Sequence, residues 1–160
     1  MDTQKYADFT LSLAAVDLIP VAFFAAGGLR LAVYLHSPLL AAGAVSCTVG
    51  GCCKVLWKFL LVLKKEDCAL LPKLFRILLF GGFGVCAAAL LLSGAAFGVV
   101  FRRMLAFPAL VFLLGGLAGI GAMVRFFRHE KDHSARANWR EETVNILAQG
   151  LLLICLLLSL

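Results

Sequence analysis

Charge is what this chain has least of. Only 15% of its 160 residues are Asp, Glu, Lys or Arg, while 62% are hydrophobic; a water-soluble domain carries about 25% charged and 45–50% apolar residues. That shortage excludes an ordinary soluble globular domain. The N-terminal stretch "MDTQKYADF" lacks the basic n-region, short apolar core and small-residue cleavage site of a signal peptide, so the first apolar block is expected to be a retained helix. Neither zinc-finger spacing nor a basic patch interleaved with aromatics is present, and the net charge of +6 therefore does not point to nucleic acid. No polar stretch is long enough to hold a separate soluble domain.

The apolar residues come in blocks. "LFGGFGVCAAALLLSGAAFGVV" runs without a single charge, longer than the ~20 residues needed to cross ~30 Å of hydrocarbon as a helix. Five such blocks are legible, at about 9–35, 38–63, 74–99, 104–124 and 143–160. The expected fold is all-α: one transmembrane domain over 1–160, a polytopic bundle of about five helices. Short turns at "HSP" and "FRRM" make neighbouring spans antiparallel, and 125–142 reads as the one sizeable extramembrane loop. Lys5, Lys58, Lys64, Lys65, Lys73, Arg76, Arg125, Arg128, Lys131, Arg136 and Arg140 fall on one side, and Arg30, Arg102 and Arg103 on the other. The positive-inside rule then places the N-terminus in the cytoplasm, as in a bacterial-type plasma membrane protein.

Small residues suggest how the helices meet. Gly94/Gly98 and Gly115/Gly119 form G-x-x-x-G pairs, and Gly43, Cys47 and Gly51 recur every four residues. Such spacing lets backbones approach closely in lipid, either within the bundle or across a homodimer. Six cysteines are present, most inside apolar blocks, where they behave as small hydrophobes rather than as a disulfide framework. The vicinal Cys52 and Cys53 offer soft ligands for thiophilic metals, but packing is the reading kept here.

Polar groups within the spans carry the functional information, because burying them in lipid is costly. Asp17 lies three residues before Pro20. Lys54 and Lys58 stand one helical turn apart. Asn138, Glu142, Asn145 and Gln149 share one face of the last helix by their spacing. At 1.5 Å per residue, Asp17, Lys54 and Gln149 sit about 12–14 Å from the basic-side ends, with Lys58, Glu142 and Asn145 below them. An Asp17–Lys54 pair is expected, with Lys58 snorkelling to the interface. Pro20, lacking an N–H, frees a carbonyl beside that pair. The resulting expectation is a polar cavity open to the cytoplasm. It would bind a small polar or charged solute through Asp17, Lys54, Lys58, Glu142, Asn145 and Gln149, in a transporter, a channel or a subunit of one. No cofactor is expected, and a complete path through so short a chain calls for a homodimer or a membrane partner.

Two alternatives belong to other classes. The string His129-Glu130-Lys131-Asp132-His133 is a literal H-E-x-x-H, in which His129 and His133 bind zinc, Glu142 adds a ligand and Glu130 activates water. Charged residues at its two variable positions argue against a dry catalytic site. The segment 125–140, with five basic residues, Phe126, Phe127 and Trp139, instead suits contact with anionic lipid. The second alternative is a non-catalytic subunit that assembles through its small-residue faces.

Overall fold

The computed structural model describes residues 10–64, 68–129 and 135–160, with side chains as far as residue 126 and again from residue 136. Its helices are α1 (Leu11–Val16), α2 (Leu18–Tyr34), α3 (Pro38–Lys64), α4 (Leu70–Leu92), α5 (Gly94–Met104), α6 (Ala109–His129) and α7 (Ala135–Ser159). Among the described residues there is no strand, and five helices are long and apolar enough to cross a membrane: α1 with α2, then α3, α4, α6 and α7. The chain is a small all-α integral membrane protein.

The first span is not continuous. Thr10 Oγ1 accepts the Leu13 N–H at 3.2 Å and caps α1. The helix then breaks at Asp17 and resumes at Leu18. Pro20, with no N–H to offer the carbonyl four residues back, supplies the reason. The turn into α3 is tight: Ser37 Oγ accepts the Leu40 N–H at 3.2 Å, and Pro38 takes the first helical position.

Beyond α4 the structure departs from the sequence reading. The apolar block expected to cross at 74–99 ends at Leu92, and α5 begins at Gly94, whose φ of +43° is left-handed backbone that a residue with a Cβ resists. At 11 residues, α5 is about 16 Å long and cannot span the bilayer. "FRRM" is its last turn rather than a connection, and the chain reverses at 105–108 instead. Arg103 Nη1 donates to the carbonyls of Ser159 and Leu160 at 3.5 and 3.4 Å, so α5 lies against the C-terminal end of α7. Both ends of α5 stay on one side, and the count of five crossings survives. The expected loop at 125–142 is also shorter, because α6 extends to His129 and α7 starts at Ala135.

The helices pack as a row in the order α4, α3, α2, α7, α6. Among the described residues α4 forms no packed interface with α6 or α7, so the row does not close. The α3–α4 crossing is the tightest. A Cβ on Gly82 would stand 2.5 Å from Cys47 Sγ and 2.9 Å from Cys47 N, and one on Gly43 would meet Cys86 at 2.7 and 2.9 Å. Two G-x-x-x-C ladders thus interlock, and Ser46 Oγ adds a bond to the Leu78 carbonyl at 3.1 Å. Of the two G-x-x-x-G pairs, Gly115/Gly119 packs against α7, where a Cβ on Gly119 would be 2.7 Å from Ala148 Cβ. Gly94 and Gly98 have nothing within 4 Å of where a Cβ would lie.

Candidate functional site

Three helices bring four charged side chains to one place. Asp17 arrives from the α1–α2 break, Lys54 and Lys58 from successive turns of α3, and Glu142 from the second turn of α7. Lys54 Nζ lies 3.1 Å from Asp17 Oδ1 and 3.5 Å from Glu142 Oε1. Lys58 Nζ lies 2.8 Å from Asp17 Oδ2 and 2.6 Å from Glu142 Oε1. Each ammonium therefore bridges both carboxylates, and the four formal charges cancel. The cluster is also dry: side-chain exposure is 2% at Asp17, 6% at Lys58 and 6% at Glu142. Only Lys54, at 32%, is open.

The backbone explains why these groups can meet. Gly50 and Gly51 occupy the turn of α3 before Lys54, and each admits a neighbour on a different side. A Cβ on Gly51 would be 2.8 Å from Val21 Cγ2 of α2, and one on Gly50 would be 3.2 Å from Leu78 Cβ of α4. Both helices are thereby drawn close around the lysine. The break at Asp17 turns its carboxylate inward, where its residue exposure is 2%.

Above the cluster lies a cavity of about 210 Å³. Asp17 and Lys54 form its charged end. Thr48, Asn145 and Gln149 add polar groups, while rings from α2 and α4 supply much of the apolar wall. Phe24 and Phe83 stand edge to face with centroids 5.6 Å apart, bridging two helices that both flank α3. Among the described residues, the Asn145 and Gln149 amides make no hydrogen bond to another side chain, so their polar capacity faces the cavity unspent. Thr48 Oγ1 is bonded to its own helix, at 2.7 Å from the Ala44 carbonyl.

The structure thus joins Asp17, Lys54, Asn145 and Gln149 around one cavity, and places Lys58 and Glu142 differently from expectation. Lys58 does not snorkel; it is buried and held by two carboxylates, which compensate a charge that would otherwise need water. Neither Lys58 nor Glu142 lines the cavity. Both lie between it and the ends of α3 and α7 that face the basic loops, so a buried ion cluster stands where an open mouth was expected. Phe24, Phe83 and Gly50 were missed, and Gly51 was read only as a member of a small-residue repeat. That repeat was the available signal for its neighbour Gly50.

Of the H-E-x-x-H string, only the backbone of His129 is described. Glu130 and His133 lie outside the described residues, as does the side chain of His129. Glu142, the expected third ligand, is already engaged by Lys54 and Lys58. Among the described residues no group of three His, Cys, Asp or Glu side chains is placed to hold a metal ion. Of the basic loop, Arg140 is seen stacked over Phe126 with its guanidinium carbon 4.6 Å from the ring centroid, tying the end of α6 to the start of α7. Compared with family models, curated proteins and solved structures, the chain finds no match.

Proposed function

We propose that this protein binds a small charged solute within the bilayer and passes it across, as a transporter or as the solute-binding subunit of one. The observation that carries this reading is the position of Lys54: a charged side chain, about one-third exposed, at the head of an intramembrane cavity that also presents two unspent amides. A structural ion pair has no need of an adjoining cavity, and buried ionisable groups within membrane spans commonly mark solute or proton paths. Lys54 is the binding group, Asn145 and Gln149 orient the solute, and Asp17, Lys58 and Glu142 form the barrier between cavity and basic side. Transport requires that barrier to exchange partners, which the two-fold bridging by each lysine allows without stripping any charge completely. The unclosed row of helices leaves α4 and α6 for a second copy or a membrane partner to cover.

The test is flux in liposomes. Purified protein should move a small charged solute, and Lys54→Met and Asp17→Asn should each lower the rate at least tenfold while the protein stays folded by circular dichroism and gel filtration. Unchanged flux in both folded variants would remove the site from the function.

A further inference from the structure

The cavity has a side that no helix closes. Its wall is drawn from α2, α3, α4 and α7, yet α4 stands at one end of the row and forms no packed interface with α7 among the described residues. The α4 contribution is a single stripe, Phe75, Leu79 and Phe83, spaced four residues apart. Phe83 lines the cavity and is still 48% exposed, on a helix long and apolar enough to cross the membrane. A side chain with both surroundings marks where cavity and hydrocarbon meet. The mouth therefore lies between α4 and α7, in the plane of the bilayer. The other directions are filled. Toward the basic loops stand Lys58 and Glu142, both buried. At the opposite end Phe24 and Phe83, the lining residues of their helices farthest from those loops, stand edge to face.

The route selects the chemistry. A solute arriving from the basic side has to pass buried charged groups, whereas one already dissolved in the bilayer meets only the apolar stripe of α4 at the mouth. Inside, hydrogen-bond donors wait. An ammonium has three N–H groups; at Lys54 two are taken, by Asp17 at 3.1 Å and Glu142 at 3.5 Å, and the third is left for a bound group. The Asn145 and Gln149 amides add further donors. Together they suit a head group made of acceptor oxygens. An apolar cavity of about 150 Å³ accepts benzene, so about 210 Å³ holds such a head group and the first few carbons behind it. A longer chain trails out through the gap into hydrocarbon. We infer that the charged solute is an acyl-chain amphiphile with an anionic, acceptor-only head group, taken up sideways from the bilayer between α4 and α7. The inference rests on the solute-binding reading above and gives it a substrate class and a route.

The probe is palmitate bearing a diazirine near its carboxylate, photolysed with the full chain in nanodiscs and mapped by peptide mass spectrometry. Adducts are expected on Phe75, Phe83, Asn145 or Gln149, falling about tenfold under a tenfold excess of unlabelled palmitate, as mass action at one shared site requires. Butyrate, which has the head group without the chain, should not compete; nor should hexadecylammonium, which has the chain on a donor head. Lys54→Met should remove the cavity adducts, while those on Phe80, which is 73% exposed and outside the cavity lining, persist without competition. Cavity adducts that butyrate displaces as well as palmitate does overturn sideways uptake and leave the site to a water-borne anion. Equal displacement by hexadecylammonium overturns the head-group assignment. No cavity adduct, with Lys54-dependent flux of a water-soluble ion retained, overturns this inference alone; no adduct and no such flux overturn the solute-binding reading with it. Competition on the wild-type protein decides even where Lys54→Met does not fold.

Discussion

An ammonium carries three N–H donors, and at Lys58 they meet two carboxylates, 2.8 and 2.6 Å away, with hardly any solvent to share the load. Removing one member of such a group is costly because its partner is left charged and buried, whereas removing a matched pair is not. Lys58→Met should therefore destabilise the bundle by about 3–5 kcal/mol. Adding Glu142→Leu should recover most of that loss, since Asp17 and Lys54 remain as a neutral pair. Thermal unfolding of the single and double variants in detergent checks this; equal loss in both would mean that packing, not charge parity, governs the site. The same residues show what was legible beforehand. Asp17 and Lys54 were readable as partners because each lies too deep in an apolar block to reach water alone. Lys58 was misread because a snorkelling argument treats one side chain at a time. Its partner Glu142 is 84 residues away in the chain, and only the packing of α7 beside α2 brings the two together.

Among the elements, the α3–α4 pair offers the sharpest contrast between glycines of one helix. At Gly82 a methyl group would strike both the sulfur and the backbone nitrogen of Cys47, and backbone cannot rotate away as a side-chain tip does; at Gly84 it would meet nothing within 4 Å. Gly82→Ala should thus force the helices apart and cost about 1–3 kcal/mol. Gly84→Ala should be neutral, or stabilising by up to about 1 kcal/mol through helix propensity. Melting temperatures of the two variants decide, and equal values would mean that the crossing is looser than its geometry. The repeat of small residues had marked this face of α3 at Gly43 and Cys47, whereas its third member, Gly51, packs against Val21 of α2. Where α4 stops was harder to read. Residues 94–101 are as apolar as those before them, so hydropathy runs through the break; only Gly94, with its positive φ, separates a crossing helix from the short helix that follows. The ends of α6 and α7 were hidden for the opposite reason, since charged residues there look like loop yet continue the helices into the interface.

For the whole molecule, the arrangement of the site depends on sidedness, because the cluster separates the cavity from whichever compartment the basic loops face. Five crossings place the α3–α4 connection and the α6–α7 connection together, with the α2–α3 turn, α5 and the end of α7 opposite. The Arg103 bonds to the last carbonyls of α7 fit only that alternation, for they require α5 and the C-terminal end of α7 to share a side. Lys and Arg are concentrated at the first set of ends, and such asymmetry orients a chain with those ends inward. Two single-cysteine proteins test the scheme: one keeping native Cys68, in the connection just before α4, and one with Ala106→Cys in the exposed turn after α5. In sealed right-side-out vesicles a membrane-impermeant maleimide should modify Ala106→Cys at once, and Cys68 only after permeabilisation. Labelling of both from outside would mean that α4 does not cross, and the cavity wall it supplies would be lost. The reverse pattern would keep the bundle but turn the ion cluster toward the external compartment, so that it would separate the cavity from that side instead.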